Sequence, residues 1–147
     1  MAPSAKERDG LAPRVALASL AAIGLAISAY LTWTHFAGVA PACAGGSQGC
    51  ETVQSSRYAA VLGIPVSVVG LVGYASLLFS AALRTEGGVY LGFFLALVGT
   101  LFSAYLTYIE VFVVHALCQW CLASAGVMVA ALICAILGVW RLTNERG

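Results

Sequence analysis

Four of the five cysteines in this 147-residue chain stand in two pairs, Cys43 with Cys50 and Cys118 with Cys121. Cys118-Gln119-Trp120-Cys121 is a CxxC, a spacing that puts two sulfurs on one helical turn and allows a redox disulfide. At the start of a helix, free backbone N–H groups and the helix dipole favour the thiolate, which is the reactive form. Taken alone the motif leaves two uses open, because CxxC also serves metal sites. Cys43 and Cys50 enclose Ala44-Gly45-Gly46-Ser47-Gln48-Gly49, whose three glycines predict a segment able to swing. Two pairs that meet allow exchange, a thiolate of one attacking a sulfur of the other through a mixed disulfide. Cys134, about three turns down the last apolar stretch, reads as buried apolar filler.

The elements that position these cysteines must suit lipid. Apolar residues are 61% of the chain and charged ones 9%, which excludes an ordinary soluble globular domain. Four stretches reach the roughly 20 apolar residues of a membrane span: about Val15–Phe36, Pro65–Leu83, Gly88–Phe112 and Ala116–Trp140. The expectation is an all-α integral membrane bundle of four helices, one domain over 1–147 with no fused thioredoxin domain. Residues 87–140 are too long for one span, so a turn is expected in the least apolar part, just before Cys118. The first apolar stretch exceeds the ~7–15 residues of a secretion-signal core, so it reads as a retained span. A net charge of +1 with no basic run gives no reason to expect nucleic-acid binding.

Basic residues in short loops collect on the cytoplasmic side. With both termini inside, Lys6, Arg8, Arg14, Arg84, Arg141 and Arg146 obey that rule and only Arg57 falls outside. Parity then places both cysteine pairs at the outer face, the oxidising side where disulfides form and turn over. Trp33, Tyr108 and Trp120 fall near the outer interface, where amphipathic rings are favoured. An internal echo agrees: Ser28-Ala29-Tyr30-Leu31-Thr32 recurs as Ser103-Ala104-Tyr105-Leu106-Thr107, and eleven residues after each threonine stands Cys43 or Cys118. The pattern suggests two helix-loop-helix hairpins, each delivering a cysteine pair to one face, with His35 and Glu110 in matching places.

After the loop, Ser55 or Ser56 is expected to cap a short outer-face helix through Tyr58, Ala59, Val61 and Leu62, ended by Gly63, with Pro65 opening the second span. That helix would lie over the mouth of the bundle, shield the CxxC pair and line a pocket. A dithiol at the bilayer surface can pass electrons to a lipid-soluble acceptor, for which a quinone is the natural candidate. Glu110, an ionisable residue near the outer end of the third span, reads either as a proton relay to the reduced acceptor or as a carboxylate reaching for the interface. His35 and His115 read as interfacial.

Cys43-x6-Cys50, Ser55-Ser56-Arg57, Leu62-Gly63-Ile64-Pro65, Tyr105-Leu106-Thr107-Tyr108-Ile109-Glu110 and Cys118-x-x-Cys121, in this order, resemble the vitamin K epoxide reductase family, its bacterial members above all. The resemblance implies a four-helix bundle around a quinone, ubiquinone or menaquinone, in a bacterial inner membrane. It implies a separate thioredoxin-fold thiol oxidase as partner on the outer side, reoxidised to drive disulfide formation in exported proteins. It assigns Cys43 to exchange with the partner, Cys50 to exchange with Cys118, and Cys121 to face the quinone. Ser56, Leu62 and Glu110 join Cys121 as expected quinone contacts. The animal enzymes carry a tyrosine four residues after the CxxC where this chain has Ala125, so vitamin K epoxide is not the expected substrate.

Two rival readings differ in class. Four thiolates from Cys43, Cys50, Cys118 and Cys121 would suit structural zinc, but they would have to stay reduced on the oxidising side, so no metal is expected. A small transporter or assembly subunit with merely structural disulfides is disfavoured by spans with few charges to line an aqueous path.

Overall fold

A computed structural model of the chain describes residues 2, 4–44 and 48–147. Helix α1 (Ala5–Ala37) starts at Ser4, whose hydroxyl accepts the Glu7 N–H at 3.3 Å. Pro13 lies inside it and cannot donate to the Asp9 carbonyl four residues back. The Arg141 guanidinium donates to that carbonyl instead, tying α1 to the far end of the last helix. Helix α2 (Gln48–Ser55) carries Cys50 and is followed by a 3-10 turn at Arg57–Ala59. Strands β1 (Ala60–Val61) and β2 (Ile64–Pro65) pair antiparallel and lead into α3 (Val66–Ala82). Thr85 caps α4 (Glu86–Ile109), which continues as a π-helical turn, Glu110–Val114. His115 breaks that turn in the left-handed region, and α5 (Gln119–Arg146) begins at Cys118.

α1 packs between α3 and α5, and α4 closes the ring by packing on the same two helices. Ala21, Ala96 and Ala131 are fully buried where the helices meet, and Leu17, Tyr74, Leu77 and Met128 fill the space between them. Small side chains at helix contacts allow the close approach on which packing in lipid depends. The outside is as apolar as the inside: Phe79, Phe94, Leu101, Ile133 and Trp140 are all exposed. In water such a surface would drive aggregation; against acyl chains it is the ordinary condition of a membrane protein. Among the described residues three helical segments are long and apolar enough to cross a membrane, Glu7–Ala37, Glu86–Val114 and Gln119–Arg146. The fourth, Val66–Ala82, is apolar but has 17 residues, about 25 Å of helix against a ~30 Å hydrocarbon core.

The expected all-α bundle is present, but the outer segment differs from the sequence expectation. The short helix comes earlier, at Gln48–Ser55 rather than through Tyr58 to Leu62. Where that helix was expected, the chain makes a two-residue hairpin with Leu62 at φ 53° and Gly63 at φ 82°. Positive φ at both central positions matches the right-handed twist of the flanking strands, and Gly63 takes it without strain. Gly45 and Gly46, on which the expectation of a swinging loop rested, lie outside the described residues; Gly49 is helical.

The polar anchors gather at the end of the bundle away from the two cysteine pairs. Arg14 donates to the carbonyls of Ala81 and Leu83 at 2.9 and 3.2 Å, and Arg146 pairs with Glu86. The C-terminus of α1, α2 and the N-termini of α3 and α5 form the opposite end, where Arg57 lies.

Candidate functional site

Cys43 and Cys50 are joined as a disulfide with their Cα atoms 6.6 Å apart, whereas Cys118, Cys121 and Cys134 are free. Cys50 and Val53 point inward from α2 and meet buried Cys118 in one small cluster that also takes in Cys43, Trp120 and Cys121. Cys50 is 1% exposed and Cys118 is 0% exposed. The contact requires Gly49: a Cβ there would lie 2.5 Å from the Leu117 carbonyl oxygen. The two cysteine pairs therefore meet because α2 can settle directly on the backbone that precedes Cys118.

Cys118 is the N-cap of α5, and its sulfur accepts the Cys121 N–H at 3.3 Å. The thiol of Cys121 and that peptide N–H hold the Cys118 thiol below the ordinary cysteine range, against burial and the nearby Glu110 charge. Gln54, one turn beyond Cys50 on the same face of α2, donates its amide to the Cys121 sulfur at 3.6 Å. Glu110 is 4% exposed, and its Oε2 accepts the Cys118 backbone N–H at 3.3 Å. The π turn starts at this residue, a distortion that recurs at functional positions because it redirects a side chain from its helical register.

Below the cysteines a cavity of about 330 Å³ opens between the helices. Its wall is mostly apolar, with Leu31, Phe102, Leu106 and Met128 among the lining residues. At the cysteine end polar groups enter it: Gln54 from α2, Ser56 and Tyr58 from the segment after it, Glu110 from the π turn, and Cys121 from α5. Among the described residues Cys121 is the one cysteine that lines it. Ser56 also donates its hydroxyl to the Val53 carbonyl at 2.8 Å, fixing the chain where it leaves α2. Size, apolar walls and a few convergent polar groups are what a pocket for a small apolar ligand with a polar head requires.

Of the residues expected to contact a ligand, Ser56, Glu110 and Cys121 share this cavity and Leu62 does not. Leu62 sits at the tip of the hairpin, 97% exposed, because the tight turn carries its side chain away from the bundle. His35 and His115 are exposed. Cys134 lies at the other end beside a cleft with Leu17 and Ala135. Among the described residues no cluster of three or more histidine, cysteine or acidic groups is placed to hold a metal, and the disulfide removes two of the four thiolates a zinc site would use.

The sequence echo has a structural counterpart. Thr32 bonds back to the Ser28 carbonyl at 2.7 Å and Thr107 to that of Ser103 at 2.9 Å. Ser28, Leu31, Ser103 and Leu106 all line the cavity. The correspondence extends one turn further: Gly24 faces Tyr74 of α3, and Gly99 faces Met128 of α5. Two matching helices thus present the same face to one cavity from opposite sides. They diverge at His35 and Glu110, the first exposed and the second buried against Cys118.

Several groups at the site escaped the sequence reading. Gln54 follows Cys50 and Val53 in helical register, a signal visible once α2 is placed correctly. Tyr74, whose hydroxyl donates to the Ser124 carbonyl at 2.7 Å, fixes α3 to α5 below the CxxC. Tyr30 and Gln119 reach the loop around Cys43, as described below. A family profile described as the vitamin K epoxide reductase family matches residues 15–136, a stretch that contains both cysteine pairs and every residue lining the cavity.

Proposed function

The chain belongs to the vitamin K epoxide reductase family and is a membrane thiol oxidoreductase; from that premise we propose that it carries electrons from a thioredoxin-fold partner to a quinone and so drives disulfide formation in exported proteins. The observation that carries this reading is the ordering of the cysteines from surface to cavity. Cys43 is partly exposed, Cys50 and Cys118 are buried together, and Cys121 alone of the four lines the apolar pocket.

In the proposed sequence a thiolate of the reduced partner attacks the Cys43 sulfur, and the second partner thiol releases its disulfide, leaving Cys43 and Cys50 as thiols. The Cys50 thiolate then attacks Cys118 of an oxidised CxxC, and Cys43 closes the loop disulfide again. This leaves the arrangement seen here, a Cys43–Cys50 disulfide above a reduced Cys118–Cys121 pair. The Cys118 sulfur closes on Cys121 as two electrons and two protons leave the two thiols. A quinone in the cavity, ubiquinone or menaquinone, would take up both. Ser56, Tyr58 and Gln54 offer hydrogen bonds to its carbonyls. Glu110, beside both CxxC residues, relays a proton from thiol to acceptor.

The positive-inside rule supports placing the cysteine end outside a bacterial inner membrane with both termini cytoplasmic, since Arg14, Arg84, Arg141 and Arg146 all lie at the other end. The decisive experiment follows quinone absorbance in nanodiscs holding the full chain, a quinone and a reduced thioredoxin-fold donor. Quinol should form with the native chain and cease with Cys121→Ala, while a reduced donor stripped of its second cysteine should be trapped as a mixed disulfide on Cys43 of the native chain, its attack on the Cys43–Cys50 disulfide releasing Cys50 as a thiol. Quinone reduction that survives loss of Cys121 overturns the scheme.

A further inference from the structure

Cys43 lies in a stretch without regular structure, yet both peptide groups that flank it are held. The Ala42 carbonyl accepts the Trp120 indole N–H at 2.6 Å, and the Ala42 N–H donates to the Tyr30 hydroxyl at 2.9 Å. On the other side, the Ala44 N–H donates to Gln119 Oε1 at 2.9 Å. The Tyr30 and Trp120 rings pack with their centroids 5.1 Å apart, so two of the three holding groups brace each other. Gln119 and Trp120 are the two residues between the cysteines of the CxxC.

We propose that Gln119 and Trp120, with Tyr30, are positioning residues for Cys43: the CxxC turn grips the loop cysteine by its backbone and keeps it over Cys50 when the disulfide between them opens. This rests on the proposed exchange between the two pairs, because only in turnover is the loop disulfide open. With the disulfide closed, α2 and the loop are already joined covalently. Once it is reduced, the clamp is what restricts the excursions of Cys43. Restricting the open dithiol lowers its entropy and raises the effective concentration of one thiol near the other, which favours closure. The same residues set the geometry of the CxxC and the reach of the loop, so the middle dipeptide acts on both pairs.

The test is the redox equilibrium of the loop pair in the full chain, in detergent or nanodiscs, with neither quinone nor protein partner present. The chain is equilibrated with reduced and oxidised dithiothreitol, each protein disulfide reduced being matched by one dithiothreitol oxidised. Differential alkylation and mass spectrometry then report Cys43–Cys50 separately from Cys118–Cys121. Gln119→Ala, Trp120→Phe and Tyr30→Phe should each move the loop pair towards the dithiol by about fivefold, the equilibrium worth of one ordinary hydrogen bond. Gln119→Glu, which keeps an acceptor oxygen, should stay near the native value. Loop equilibria unchanged in all three variants, or a Gln119→Glu shift as large as that of Gln119→Ala, overturn the proposal. If Trp120→Phe fails to fold, the two Gln119 variants decide it. Because no quinone enters, this test can fail while quinone reduction stands, and the reverse.

Discussion

The carboxylate of Glu110 accepts the backbone N–H of Cys118 across a gap of 3.3 Å, linking the π turn that ends α4 to the cap that begins α5. The bond joins the two halves of an eight-residue excursion in which the chain reverses direction and delivers the CxxC. Both groups are buried, so neither has water as a substitute partner.

Replacing Glu110 separates its two roles. Glu110→Ala leaves a buried N–H without an acceptor, at a cost of about 1–3 kcal/mol, and should lower the thermal midpoint of the detergent-solubilised chain. Glu110→Gln keeps an oxygen in the same place and should recover most of that loss, yet should still slow quinol formation because an amide cannot pass on a proton. Equal destabilisation by the two variants would show that the bond does not hold the turn.

Cys118 should titrate early. Its thiol is held low first by the Cys121 thiol, so alkylation of Cys118 by iodoacetamide should reach its half-maximal rate below the pH of about 8.5 typical of a free cysteine. Cys121→Ala should move that midpoint upward. The sign for stability follows: a thiol whose folded pKa is depressed contributes stability above its unfolded pKa, and that contribution fades as pH falls through the folded one. Thermal midpoints measured on both sides of neutrality should show the native chain losing more than Cys121→Ala on acidification. A Cys118 midpoint that the substitution leaves in place would contradict the assignment.

The long helices and the cap at Cys118 were legible because lipid demands length and apolarity, and because a CxxC after a polar break has few other places to begin. The outer segment was not. Ser56 before the run from Tyr58 to Leu62 satisfies local helix rules, and Gly63 looks like a helix stop. The hairpin wins by placing Leu62 in the left-handed region, which local propensity disfavours and only the pairing of Ala60 and Val61 with Pro65 and Ile64 explains. Helix α2 was hidden for the converse reason. A stretch with glycines has weak helix propensity, and what holds Gln48–Ser55 is tertiary: the Cys50 disulfide and the seat of Gly49 on Leu117. With α2 misplaced, the register that brings Gln54 to Cys121 could not be read.

Leu62 should prove dispensable for quinone chemistry. Its side chain is almost wholly exposed and stands outside the cavity, so Leu62→Ala should leave the KM for a quinone within twofold of the native value. Leu62→Gly removes the Cβ that makes positive φ unfavourable, by about 1–2 kcal/mol for an L-residue, and should raise the thermal midpoint. Gly63→Ala should lower it for the same reason. A raised KM in Leu62→Ala would return this residue to the pocket.

Gly49 gives the sharpest opposition between local preference and tertiary fit. Alanine is a better helix former than glycine by about 1 kcal/mol, so on propensity alone Gly49→Ala should stabilise α2. The added Cβ, however, would stand 2.5 Å from the Leu117 carbonyl, and a backbone oxygen cannot swing aside as a long side chain can. Overpacking of this kind costs about 1–3 kcal/mol and is relieved only if α2 lifts from the turn before Cys118. Gly126 in α5 supplies the control, since a Cβ there meets nothing within 4 Å and Gly126→Ala should be neutral or stabilising. Exchange between the loop pair and the CxxC, followed by quenched alkylation after a pulse of reductant, should slow at least tenfold in Gly49→Ala and stay native in Gly126→Ala. If the two variants exchange at the same rate, close seating of α2 on Leu117 is not what brings Cys50 to Cys118.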